Sequence, residues 1–197
     1  TKNGIIKRTE VSQFANVRRS GLIAIGLKDG DALRWVRPST GKDDIMLATL
    51  NGQSIRFKEK GVRCMGRSAA GVKALKLKKD DEIIGVDMIP DGKAAKDEQF
   101  LVVTENGFGK RTLIADYRLI NRGGSGVINI KTDHRNGGVV AIKSVMDEDE
   151  LMFISVNGQV IRTSAKYVSV IGRNTKGVTL MRLNDSDKVA DAAKIIG

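Results

Sequence analysis

The sequence predicts an all-β protein built from four repeats of one sheet module, and three observations carry that reading. Asn-Gly, the strongest short hairpin signal, recurs at Asn3-Gly4, Asn51-Gly52, Asn106-Gly107 and Asn157-Gly158, with its glycines 48, 55 and 51 residues apart. A second glycine, at Gly21, Gly71, Gly126 and Gly177, follows the first by 17, 19, 19 and 19 residues. Runs of β-branched residues separated by polar turns fill the intervals, and only two prolines interrupt the 197 residues, a composition that favours strands. A period of about 50 residues marks a propeller, solenoid or array. One four-stranded sheet cannot bury both of its faces, so neighbouring units must pack on each other as propeller blades do.

Each unit reads as four strands, with repeats over approximately 1–44, 45–98, 99–150 and 151–197. In the third, 99–104 leads into Asn106-Gly107, 108–113 returns, a crossing segment follows over 114–125, and strands at 127–131 and 139–145 complete the unit. The fourth repeats this at 151–156, 159–164, 178–183 and 189–196. Polar turns at 28–31, 79–82 and 184–187 separate the last two strands of the other units. The run 73–82 (KALKLKKDDE) alternates apolar and cationic residues, as a half-exposed strand does, and its Lys73, Lys76 and Lys78 either extend a basic rim or face water. The loop at 91–98 reads as irregular, and the first unit lacks a leading strand. The whole chain is therefore expected to be one segment of a larger disc.

Thirty-four basic against 23 acidic residues give a net charge of +11, which favours a polyanionic partner, either nucleic acid or an anionic membrane face. Aromatic residues at 4% are too sparse for a base-stacking platform. No run approaches the roughly 18 apolar residues of a membrane span. The single cysteine, Cys64, excludes an internal disulfide and fits a reducing, cytoplasmic compartment. The one histidine, His134, has no Cys or His neighbours for a zinc site or a catalytic triad and reads as a turn residue. Cys64 and Trp35 read as packing residues, Trp35 against a neighbouring blade.

Four residues after each hairpin glycine stands an arginine: Arg8, Arg56, Arg111 and Arg162, with Lys110 beside the third. These either meet phosphate or pair with a cross-strand carboxylate. A second set sits in glycine-rich crossing loops: Arg18 and Arg19, Arg67, Arg122, Arg173 and Lys176. These either meet phosphate or cap carbonyls between blades. The loop Asn121–Gly126 (NRGGSG) matches no nucleotide-cofactor loop, because a strand rather than a helix follows it. A cofactor needs one such loop. Four equivalents suit a long, periodic ligand, and nucleic acid presents phosphate at short, regular intervals. No recognition helix or zinc finger is legible, so binding is expected to be largely independent of sequence. A propeller that scaffolds protein partners is the competing class. An enzyme with a central site would need converging acids or metal ligands, which the sequence does not offer.

The stretches Asn3–Thr9 (NGIIKRT), Ile55–Val72 (IRFKEKGVRCMGRSAAGV), Asn106–Thr112 (NGFGKRT) and Val170–Val178 (VIGRNTKGV) resemble the C-terminal β-pinwheel of type IIA DNA topoisomerase subunits, most closely the gyrase A type, with the topoisomerase IV A-subunit type as the alternative. The resemblance runs in register along essentially the whole chain. It implies a six-bladed, propeller-like disc whose blades exchange strands, with double-stranded DNA wrapped on its basic rim for strand passage. It further implies two protein partners: the remainder of the A subunit, and the B subunit of the A2B2 complex. ATP and Mg2+ would then be used elsewhere in the complex, and Tyr117 and Tyr167 are not nucleophiles. The family's gyrase-specific box, Gln-Arg-Arg-Gly-Gly-x-Gly, has no full match. Asn121–Gly126 comes nearest and lacks the glutamine and the second arginine.

Overall fold

The computed structural model describes residues 1–90 and 98–195, so the irregular loop expected at 91–98 lies, apart from Glu98, outside the described residues. The described residues form antiparallel sheet with one-turn 3-10 helices and no α-helix. The strands are β1 (Ile5–Ile6), β2 (Asp44–Thr49), β3 (Gln53–Lys58), β4 (Val72–Lys73), β5 (Ile83–Ile89), β6 (Gln99–Thr104) and β7 (Phe108–Leu113). They continue as β8 (Val127–Ile128), β9 (Val139–Val145), β10 (Glu150–Ser155), β11 (Val160–Ser164), β12 (Val178–Thr179) and β13 (Val189–Ile195). Single 3-10 turns at Glu59–Gly61, Ile114–Asp116 and Ala165–Tyr167 follow β3, β7 and β11.

The leading strand of each unit is central in its sheet. β2 pairs with β3 and β5, β6 with β7 and β9, and β10 with β11 and β13. The third strand of a unit does not join its own sheet. β8 adds to β3 of the preceding unit (Gln53 opposite Ile128), β12 adds to β7 (Gly109 opposite Val178), and β4 adds to β1 (Ile5 opposite Lys73). Four four-stranded blades were expected, but the sheets contain two, three, four and four strands. The lent strand is also shorter than the 127–131 read from sequence. After Ile128 the chain leaves the ladder because Asn129 and Ile130 both donate their backbone N–H to the carbonyl of Gly52, at 2.8 and 3.2 Å. The same anchoring ends β4 and β12, so most of 73–82 lies outside any strand.

Among the described residues, the first unit forms no strand after Gly21. A cleft of about 240 Å³ beside this segment is lined by Ile5, Trp35, Ile45, Leu47 and Val86. Trp35 packs across it onto the core of the second blade, as expected. Cys64 does not pack: it is exposed.

Strand alternation explains the core. Ile45 and Leu47 of β2 face the first blade and Met46 and Ala48 face the third. Likewise Phe100 and Val102 of β6 join the second blade's residues, while Leu101 and Val103 join Leu151 and Phe153 of the fourth. Both faces of β2 and β6 are therefore covered, and all six residues of each are buried. β10 has one neighbouring blade and buries alternate residues only.

All eight glycines of the two registers have positive φ. At Gly107 (φ +81°) a Cβ would also lie 2.2 Å from the carbonyl oxygen of Met181 in the lent segment, whereas at Gly158 (φ +86°) nothing lies within 4 Å. Gly158→Ala should therefore cost about 1–2 kcal/mol from backbone strain alone, and Gly107→Ala distinctly more. Urea unfolding of the two variants checks this: equal losses would remove the role assigned to the lent segment.

Candidate nucleic-acid interface

The hairpin arginines turn toward the 3-10 turn of the next unit. Arg8 pairs with Glu59 at 3.4 Å, at the start of the second unit's turn. Arg56 donates to Asp44 at 2.9 and 2.6 Å and to the carbonyls of Ile114 and Tyr117 in the third unit's turn. Arg111 donates to the Val168 carbonyl at 2.8 Å in the fourth unit, and also to Gln99 and Asp147. The backbones join at the same places, since Met65, Ile120 and Ile171 donate to the carbonyls of Arg8, Arg56 and Arg111. Arg162 reaches no 3-10 turn among the described residues and pairs with Glu150 at 3.2 Å. Side-chain exposure follows this logic: 29%, 14% and 3% for Arg8, Arg56 and Arg111, but 65% for Arg162.

The loop arginines reach back toward the preceding unit. Arg122 donates to the carbonyls of Gly61 and Lys73 at 2.7 and 3.0 Å. Arg173 makes the equivalent bonds to Asp116 and Ile128 at 2.9 and 2.8 Å. Gly61 and Asp116 end their 3-10 turns, where carbonyls have no intrahelical donor and attract cations. Arg173 also lies over the Tyr117 ring, 5.8 Å from its centroid. The Tyr117 hydroxyl donates to Asn129 at 2.6 Å, and burial pushes its pKa up.

Lys110 is fully buried. Its ammonium donates to the carbonyls of Gly172 and Arg173 at 2.6 and 2.5 Å and to the Thr175 hydroxyl at 3.0 Å. It thereby holds the crossing loop of the fourth unit from beneath. Lys7, its equivalent, holds the second unit's loop through the carbonyls of Gly66 and Arg67.

These positions correct part of the expected contact set. Lys110 and Arg111 are buried with their donors engaged, so they are not open to phosphate. Arg8, Arg56, Arg122 and Arg173 join blades, and Lys176 is paired with Asp133 at 2.5 Å. Arg18 and Arg19 are exposed and Arg67 half-buried; none has a side-chain partner among the described residues. His134 lies exposed in a turn.

A further register of cations escaped the sequence reading as a register, although Lys76 was singled out within the run 73–82. Five residues after the second glycine stand Lys76, Lys131 and Arg182, all exposed and with no side-chain partner among the described residues. The signal was present at constant offset. It was obscured because these residues follow strands that were read as longer than they are.

Blades that each lend a strand backward and reach forward with an arginine define a β-pinwheel. The chain belongs to the family described as DNA gyrase C-terminal domain, beta-propeller, whose model matches residues 1–40, 43–90, 98–146 and 149–195. The DNA gyrase A protein of Staphylococcus epidermidis is 42% identical over 195 residues, 99% of this chain and 22% of that protein. Its Staphylococcus aureus counterpart is similar to the same extent. The chain thus spans about a fifth of the length of these relatives. Among solved structures, a DNA gyrase A C-terminal domain superposes with a TM-score of 0.87 at 28% identity, covering 99% of this chain and 64% of that one. The C-terminal domain of a DNA topoisomerase IV shares the fold, with a TM-score of 0.90 at 24% identity over 98% of this chain and 59% of that one.

Burial first, and the Arg173 guanidinium second, push the Lys110 ammonium from 10.5 down to about 8. Between those values the unfolded chain binds the proton and the folded chain does not, so this group's contribution to stability rises with pH across that window. Unfolding by urea over a pH series should show this rise in the wild type and its loss in Lys110→Met. Parallel profiles would refute the assignment.

Proposed function

We propose that this chain is a DNA-binding and DNA-wrapping part of a bacterial type II topoisomerase of the gyrase kind. It holds double-stranded DNA by its phosphates, and works in the bacterial cytoplasm with the rest of the A subunit, together with the B subunit. One observation carries the reading: equivalent arginines and lysines lock the blades together internally, yet a surplus of cations stays exposed and unpartnered, among them Lys60, Arg63, Arg118 and Lys131. A protein of net charge +11 whose free cations repeat from blade to blade suits a ligand with regularly spaced charge. Family membership supports the same partner.

The described residues hold no α-helix to serve as a recognition helix, which favours backbone contact over base readout. Bending 20–30 bp of duplex by 40–90° costs about 1–6 kcal/mol, within reach of several cation–phosphate contacts. The rigid blade joints favour a fixed curvature, so the DNA rather than the protein deforms. In the assembled enzyme this wrap would present a segment for strand passage and underlie ATP-driven negative supercoiling. The ATP and Mg2+ chemistry is assigned to other parts of that enzyme.

If the chain neutralises six or more phosphates, affinity for linear duplex should fall about a thousand-fold or more between roughly 50 and 200 mM salt. It should also grow with duplex length. Binding insensitive to both would point instead to a protein-binding propeller. Sealing a nicked plasmid with ligase in the presence of the chain should change its linking number. An unchanged linking number would leave binding in place but remove wrapping.

A further inference from the structure

We infer that a three-blade column of cations, Lys76, Lys131 and Arg182, makes a regular set of the phosphate contacts, beside the free loop arginines Arg18, Arg19 and Arg67 and in place of the arginines engaged at the blade joints. This rests on the DNA-binding reading above and names the residues that perform it.

The geometry of the lent segment sets the column. Ala74 donates its N–H to Gly4 O at 2.8 Å; Ile130 and Met181 donate to Gly52 O and Gly107 O at 3.2 and 3.1 Å. Leu75, Ile130 and Met181 are each buried. The chain bends at these anchors instead of continuing the strand, and the residue after each one comes to the surface. That residue is a cation in all three units, and each is exposed. The backbone beneath is pinned from the next blade: Lys76 N donates to Gly124 O and Lys131 N to Thr175 O, both at 2.8 Å. Each of these two cations therefore stands on a blade seam beside the following crossing loop.

Other exposed cations do not repeat so fully. Lys60 and Lys166 share a position that is Ala115 in the third unit, and Arg63 and Arg118 share one that is Ser169 in the fourth. The first unit has Gly26 at the column position. A Cβ there would lie 2.8 Å from the Ser68 carbonyl oxygen, so no side chain fits. The column therefore covers the second, third and fourth units only. Equivalent places in successive blades share one side of the array, and three unpaired cations along that side match a single polyphosphate strand.

The test measures the dependence of duplex affinity on salt for the wild-type chain and two triple variants of equal charge change. One is K76Q/K131Q/R182Q; the other is K28Q/K42Q/K79Q, at exposed lysines outside the column. Each lost phosphate contact lowers the slope of log affinity against log salt by about 0.9. The column variant should lose about 2.7 of slope, equally for unrelated duplex sequences, and the control should lose far less. Equal losses in both variants would overturn the column while leaving DNA binding intact. A wild-type affinity that is flat with salt would overturn the DNA-binding reading and the column together. Matching thermal unfolding of the three proteins shows that the comparison is made between folded molecules.

Discussion

Two residues of strand, lent by each unit to the blade before it, are the constraint on which the rest of this structure depends. An exposed sheet edge leaves a row of unpaired N–H and C=O groups. Covering β3 with β8 and β7 with β12 satisfies part of that edge and fixes each unit relative to its neighbour. The loan is short because the chain is drawn at once to the hairpin glycine. That pull sets where each lent strand ends and which residue faces outward next.

Once the loan is made, the cations sort themselves. The hairpin arginines point forward to the next unit's 3-10 turn and Arg122 and Arg173 point back to the previous one, so the second–third and third–fourth junctions are bridged in both directions. Buried guanidinium and ammonium groups are costly unless fully hydrogen-bonded. Arg111 and Lys110 meet that condition with carbonyl, amide and carboxylate partners. Arg162, which meets no 3-10 turn among the described residues, forms instead a solvated pair with Glu150. Repetition of an arginine is thus a mark of the joint. What remains free for a polyanion is the population of cations that no carbonyl or carboxylate claims.

Such a division of labour suits the DNA-bending surface proposed above. A wrap would transmit force to the blades, and joints made of hydrogen bonds, apolar cores and shared strands would resist it together. Alternation in β2 and β6 adds to this, since one strand contributes a face to each of two cores.

By itself the sequence determined the repeat, its period, the hairpins and most strand boundaries: 99–104, 108–113 and 139–145 match the structure residue for residue. These follow from local chemistry, because glycine at positive φ and β-branched alternation act within a few residues. Only the tertiary structure decided which sheet each third strand joins, that the first unit stays irregular, and which cations are free. Those outcomes hinge on partners about 50–60 residues away, such as Tyr117 for Arg56 and Gly172 for Lys110. Arg122 and Lys131 look alike as charges in a repeat. One is turned inward by two carbonyls and the other is turned outward by the buried isoleucine before it, and that difference exists only once the blades are packed.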